Sequence, residues 1–180
     1  MELGPEPLLL FTPFKEHQQG IIYSLLSRSY AAYLALDPQA AQTWPADWAA
    51  YDREVFRFPD TVGACGFVTS LGAQAIGFAS WDPREFPDCG VIGHNCILPA
   101  LQGCGYGKAQ IRRVLCILRA RGFAQASVTT GEHPFFVPAQ RMYEACGFRE
   151  VARGHRDPRV PLRMVEYGLP LQARPMRCRA

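Results

Sequence analysis

The residues of this chain best suited to chemistry lie between positions 94 and 108. Gln102-Gly-Cys-Gly-Tyr-Gly-Lys108 carries glycine at every second position and ends on a lysine. It follows Val91–Leu98, an apolar, branched run that reads as a buried strand stopped by Pro99. It precedes Ile111, Val114, Leu115 and Leu118, whose i, i+3, i+4, i+7 spacing reads as one face of a helix. A strand that feeds a glycine-rich turn at a helix start is an anion cradle. Glycine lets the backbone come close to a ligand. The unpaired N–H groups of the first turn point at that ligand, and the helix dipole adds roughly half a positive charge. A phosphate-bearing ligand is the expected occupant. The spacing excludes a dinucleotide-binding G-x-G-x-x-G loop. Gln102 and Ala109 stand where G-x-x-x-x-G-K-[ST] requires glycine and a hydroxyl, which excludes a P-loop.

A second chemistry is written on the strand. His94 and Cys96 are two apart and share a face. A cysteine-dependent hydrolase would use Cys96 or Cys104 with His94, but no third group to orient the histidine is evident.

The elements that must position these residues follow from the pattern. Leu8–Phe11 reads as a first strand. Lys15 to about Tyr33 reads as a helix, with Ile22, Leu25, Leu26, Ser29 and Tyr33 on one face. Asp37-Pro38 opens a second helical stretch to about Tyr51, interrupted at Pro45. In it Trp44 and Trp48 cover one face, as core or as the wall of an acceptor pocket. Ala64–Leu71 and Ala75–Trp81 read as a hairpin about Gly72-Ala73, and Glu85–Gly90 as the connection to the central strand. The helix after the loop ends near Arg121-Gly122. Ala124–Thr130 is a strand, Gly131–Phe136 a loop, and Pro138 the start of a helix whose inner face is Ala139, Met142, Tyr143 and Cys146. Glu150–Arg153 and Leu162–Leu169 read as a closing strand pair. The order β-α-α-β-β-β-α-β-α-β-β predicts a mixed α/β fold with a βαβ crossover in its middle.

Composition bounds the partners. At 180 residues the chain is expected to form one domain over 1–180, with its core at about 8–170 and a flexible, arginine-bearing tail at 172–180. Nineteen Lys and Arg against sixteen Asp and Glu give a net charge of +3, too balanced for a nucleic-acid binder. Seven cysteines, an odd number without a secretory leader, predict reduced thiols and a cytoplasmic location. No CxxC pair argues for zinc, and no apolar run is long enough to span a membrane.

Two motifs, in order, carry a family resemblance. Gln102-Gly-Cys-Gly105-Tyr-Gly107, directly after the strand ending Ile97-Leu98-Pro99, matches Q/R-x-x-G-x-G/A. Ala139, Met142, Tyr143, Glu144, Gly147 and Phe148 match A-x-x-[LM]-Y-[EK]-x-x-GF. The chain thus resembles the GCN5-related N-acetyltransferase (GNAT) family over about residues 8–170. The resemblance implies a twisted, mostly antiparallel sheet whose two central strands splay apart around acetyl-coenzyme A, with transfer of the acetyl group to an amine in a ternary complex. It implies no metal, and it leaves room for a homodimer.

It also implies roles. Backbone N–H groups of Gly103, Cys104, Gly105, Tyr106, Gly107 and Lys108, with Gln102, would hold the pyrophosphate. Lys108, Arg112 or Arg113 would add charge. Ile97 and Leu98, with Cys96 before them, would pair with the pantetheine as a further strand would. Tyr143 stands at the family's position for the acid that meets the departing thiolate. Many members carry a carboxylate base on the central strand, whereas this chain has Gly90-Val-Ile-Gly93 there. The base candidates are therefore His94 and Asn95 on the strand, Glu132 or His133 after the next strand, or a water relay. The alternative to an enzyme is a GNAT-like module that binds acyl-coenzyme A without catalysis.

Overall fold

The computed structural model describes residues 8–156 and 162–171. Its elements are β1 (Leu9–Pro13), α1 (Ile21–Leu34), α2 (Pro38–Arg57), β2 (Gly66–Leu71), β3 (Gln74–Glu85), β4 (Cys89–Ile97), α3 (Tyr106–Ala120), β5 (Gln125–Gly131), α4 (Val137–Ala145), β6 (Arg149–Arg156) and β7 (Arg163–Pro170). The seven strands form one sheet in the order β1-β2-β3-β4-β5-β7-β6. Every pairing is antiparallel except β4 with β5, the βαβ crossover through α3. The predicted mixed fold and element order are what is observed. The tail at 172–180 lies outside the described residues.

Strand alternation divides the core between the two faces of the sheet. Phe67, Ala79, Trp81, Ile92 and Val128 pack under Ile111 and Leu115 of α3. Val68, Phe78 and Cys96 pack under Leu25 and Leu26 of α1 and Trp48 of α2. At about 25 cal/mol per Å² of apolar area, each fully buried leucine or isoleucine stabilises by roughly 1.5–3 kcal/mol.

Several boundaries differ from the sequence reading, each for a physical reason. The first helix starts at Ile21, and Phe14–Glu16 form a separate 3-10 turn. Helix α2 runs unbroken through Pro45 to Arg57. Proline removes one backbone hydrogen bond, and the packing of Trp48, Asp52 and Val55 beyond it holds the helix together. Strands β3 and β4 reach Glu85 and Cys89, so the connection between them is short and takes in the cis peptide bond Phe86-Pro87.

Helix α1, one wall of the functional cleft, has a borrowed cap. Gly20 precedes it and offers no side chain. Asp52 of α2, almost wholly buried, accepts instead from the backbone N–H groups of Gly20 (2.7 Å), Ile22 (3.0 Å) and Tyr23 (3.3 Å). A carboxylate at a helix N-terminus satisfies orphan donors and complements the dipole. Asp52→Ala is expected to cost about 2–4 kcal/mol, since three backbone donors, one buried and two part-buried, lose their partner. In thermal denaturation this is a Tm lower by roughly 5–12 °C, and an unchanged Tm would remove Asp52 from this role.

Candidate functional site

The sheet opens at its centre. Pairing of β4 with β5 runs from Cys89↔Gln125 to Ile92↔Val128 and stops there. Just beyond Ile92, β4 carries a bulge: Gly93 and His94 stand opposite the single Ser80 of β3, between the pairs Trp81↔Ile92 and Ala79↔Asn95. An extra residue bends a strand and turns it from its neighbour. The upper part of β4 thus stays with β3 while β5 continues with β7 to Gly131. Two buried glutamines brace the opening. Gln110 of α3 accepts from the Thr69 hydroxyl at 2.6 Å and donates to the Cys96 carbonyl at 3.4 Å. Gln140 of α4 donates to the Gly131 carbonyl at 2.8 Å.

The glycine loop sits at the mouth of this opening. Gly103 and Gly105 have φ of +80° and +88°, a region that favours glycine, and nothing lies within 4 Å of a Cβ built on either. Gly105 is the N-cap of α3 and supplies no side-chain cap, so the first N–H groups of the helix face outward. Gly107 answers a different need: a Cβ there would meet the Met142 sulfur at 2.7 Å, so its absence lets α3 approach α4. Gln102 turns inward and donates through Nε2 to the Ile97 carbonyl at 2.9 Å, tying the loop to the strand end.

From this loop a cleft of about 470 Å³ runs between β4, α4 and α1. At the loop end it is lined by Gly103, Gly105, Gly107 and Lys108, with Arg141 of α4 alongside. At the far end it is lined by Asn95, Tyr30, Phe135 and Phe136. Behind this lining Asn95 meets Tyr143, a buried residue that does not itself line the cleft. The Asn95 Nδ2 donates to the Tyr143 hydroxyl at 3.0 Å and to the Gly93 carbonyl at 3.2 Å. Burial pushes the Tyr143 hydroxyl up to about 12, and the Asn95 hydrogen bond offsets a little of that. Tyr143 therefore holds its proton at any physiological pH.

An amide-lined loop opening into a split sheet has a counterpart among known proteins. The model of the Acetyltransferase (GNAT) family matches residues 23–148, well over half of the chain. The chain belongs to the GNAT acetyltransferase family. A search of curated proteins finds no match. Solved structures share the fold. A GNAT-family protein from Desulfovibrio desulfuricans superposes with a TM-score of 0.69 at 15% identity, covering 92% of this chain and 99% of its own. YncA from Salmonella typhimurium, solved with its cofactor acetyl-CoA, gives 0.66 at 15% identity, with 96% and 98% covered. An IAA acetyltransferase from Bacillus cereus gives 0.58 at 20% identity, with 91% and 98% covered.

Within this GNAT chain, the residues singled out from the sequence fall into two groups. Gln102, Gly103, Gly105, Gly107, Lys108, Cys96 and Ile97 all border the cleft. Cys104 is exposed beside it, Tyr106 is half-buried on the first turn of α3, and Arg112 and Arg113 are exposed on its outer side. The backbone of Leu98 is already engaged: its N–H donates to Ile76 and its carbonyl accepts from Leu101. The Ile97 carbonyl likewise accepts from Gln102 and the Cys96 carbonyl from Gln110.

Of the base candidates, Asn95 lines the cleft, whereas His94, Glu132 and His133 do not. The His94 ring packs on Tyr51 of α2, 5.1 Å between centroids, on the opposite face of the sheet from Asn95. The residue keeps solvent contact, but protein atoms crowd the ring, and that desolvation lowers its pKa while Asp47 partly raises it. Glu132 is bridged by Arg163 at 3.1 Å and Arg153 at 3.9 Å. His133 accepts the Phe135 N–H through Nδ1 at 3.1 Å. Of the two thiols the hydrolase reading could use, Cys104 is exposed on the loop, and burial pushes the Cys96 thiol up to about 12, the wrong direction for a thiolate.

Sequence reasoning missed Arg141 and the pairing of Asn95 with Tyr143. Trp48 is core, whereas Trp44 is half-buried between Tyr30 and Tyr33.

The site fits acetyl-CoA as the group the family implies. Outward N–H groups suit a diphosphate. Lys108 and Arg141 add positive charge at the same end, and the open space over Gly103 and Gly105 leaves the backbone accessible. Among the described residues, no helix is long and apolar enough to cross a membrane.

Proposed function

We propose that this GNAT chain transfers an acetyl group from acetyl-CoA to a primary amine by direct attack in a ternary complex. The supporting observation is Asn95, which lines a cleft that also borders the α3 amide loop and which holds the hydroxyl of the buried Tyr143 behind that lining. Acetyl-CoA, when bound, supplies an activated thioester. The N–H groups of 103–108 hold its diphosphate, and Lys108 and Arg141 neutralise charge there. The edge of β4 between Asn95 and Ile97 orients the pantetheine, and a backbone N–H of this bent segment stabilises the developing oxyanion. As the C–N bond forms and the C–S bond breaks, Tyr143 donates a hydrogen bond to the departing sulfur. Full proton transfer from a hydroxyl near 12 to a thiolate near 8.5 is uphill by about 5 kcal/mol, so Tyr143 stabilises the thiolate rather than titrating with it. The amine releases its proton to water. Of the base candidates, His94, Glu132 and His133, which do not line the cleft, would act only through intervening water.

Asn95 positions Tyr143. Asn95→Ala is expected to lower kcat about tenfold while leaving the Kd for coenzyme A within twofold, measured by stopped-time assay and calorimetry. A fall in coenzyme affinity with kcat intact would reverse that assignment. Among the described residues the cleft lining includes no Asp, Glu or His. That observation favours the second reading, a module that binds acyl-CoA without turnover. Release of free thiol from acetyl-CoA in the presence of an amine panel decides between them.

A further inference from the structure

The inner end of the cleft carries information about the acceptor. Tyr30 of α1 is the hub of an aromatic cluster, with ring centroids 5.8 Å from Phe135, 6.3 Å from Phe136, 5.6 Å from Trp48 and 6.0 Å from Trp44. Tyr30, Phe135 and Phe136 face the cleft. The cluster abuts the inner end of the cleft, since Tyr30, Phe135 and Phe136 line it together with Asn95 and Cys96. The charged side chains that line the cleft are Lys108 and Arg141, both cationic. Its other ionisable groups, Tyr30 and Cys96, are held in their neutral, protonated forms by burial.

Two consequences follow. Among the described residues no carboxylate lines the cleft, so an ammonium finds no counter-charge there and acceptors with several amines, such as polyamines, are disfavoured. And with no Asp, Glu or His among the described lining residues to take a proton directly, an amine that arrives already neutral is favoured. At pH 7.5 an α-amine with pKa of about 7.7–8.0 is roughly 0.3 neutral, whereas a lysine-type amine near 10.4 is roughly 0.001 neutral. The volume, about 470 Å³, is shared with the acyl donor and lies in the lower part of the range for small-molecule sites.

We infer that the acceptor is a weakly basic α-amine, adjacent to a carbonyl, on a compact aromatic body that stacks against Tyr30, Phe135 and Phe136. This rests on the acetyltransferase reading above and narrows it. The same chemistry is offered by a free aromatic amino-acid amide and by a polypeptide beginning with an aromatic residue.

The test uses the full chain with acetyl-CoA and five acceptors: phenylalaninamide, a tetrapeptide beginning with phenylalanine, glycinamide, Nα-acetyl-lysinamide and spermidine. The expected result at pH 7.5 is a kcat/KM for phenylalaninamide at least about 30-fold above that for Nα-acetyl-lysinamide and spermidine. This is less than the full difference in neutral fraction because a weaker base is also a weaker nucleophile. The gap should narrow between pH 7.5 and 9.5, as the lysine-type amine deprotonates. Phe135→Ala should lower the ratio of kcat/KM for phenylalaninamide to that for glycinamide about tenfold. Preference for the amide assigns a small-molecule acceptor, and preference for the tetrapeptide assigns a polypeptide N-terminus. Faster turnover of spermidine or the lysine derivative, or equal turnover of glycinamide and phenylalaninamide, overturns the inference and leaves the acetyltransferase reading standing. Coenzyme binding with no amine acetylated overturns both.

Discussion

Gly105→Asp is expected to weaken coenzyme A binding by at least 100-fold, or about 2.7 kcal/mol, in calorimetry. Two effects add. The residue sits at φ +88°, where a side chain costs roughly 1–2 kcal/mol. The new carboxylate also stands at the N-cap of α3, where the proposed diphosphate lies, and like charges in a partly desolvated site repel. Nothing occupies the space around a Cβ at this position, so the fold should survive, with an unchanged far-ultraviolet circular dichroism spectrum and a modest loss of Tm. Gly105→Ala separates the two effects: it adds strain without charge and should cost about tenfold. If the aspartate variant bound as the parent does, the loop would have no part in the coenzyme site.

Tyr143→Phe is the second large effect. Removing a positioned proton donor is worth about 10²–10⁴ in rate. The lower end is expected here, because the hydroxyl hydrogen-bonds the leaving thiolate without giving up its proton. A kcat reduced about 100-fold, with the Kd for coenzyme A within twofold, is the predicted outcome. The raised pKa of Tyr143 gives a sign to the pH dependence. The hydroxyl stays protonated well past pH 10 and ionises only towards 12, so the parent enzyme should show no alkaline loss of kcat attributable to this group between pH 7 and 10. An alkaline limb in that range that disappears in Tyr143→Phe would mean that the burial argument is mistaken. Undiminished turnover of the variant would remove Tyr143 from the reaction.

The sequence made some of this architecture readable, and physical reasons explain which parts. Glycine spacing between a strand and a helix is a local signal, so the loop at 102–108 could be found without its surroundings. Element order was equally accessible, because each strand and helix carries its own apolar period. Boundaries moved where tertiary packing outweighed local preference. Pro45 reads as a break, yet α2 continues through it on the packing of Trp48 and Val55. The bulge at Gly93-His94 depends on the partner strand, Ser80, and no pattern within β4 announces it.

Side-chain partnerships across long separations were the least legible. Asn95 and Tyr143 are 48 positions apart, and their hydrogen bond exists only because β4 bends away from β5 while α4 packs beneath the opening. Glu132 has the right chemistry for a base and the right place in the chain. Its partners, Arg153 and Arg163, arrive from the last two strands and engage it there. The same holds for His94, whose alternation along β4 turns it to Tyr51 on the opposite face of the sheet.

The central claim is that backbone N–H groups at the start of α3 grip a diphosphate. Titration of isotopically labelled protein with coenzyme A and, separately, with pantetheine, which lacks the diphosphate, tests it most directly by amide proton–nitrogen spectra. The account predicts that the amides of 103–108 shift on addition of coenzyme A and stay in place with pantetheine, while those of Asn95–Ile97 respond to both. Amides at 103–108 that ignore coenzyme A while the rest of the cleft responds would contradict it.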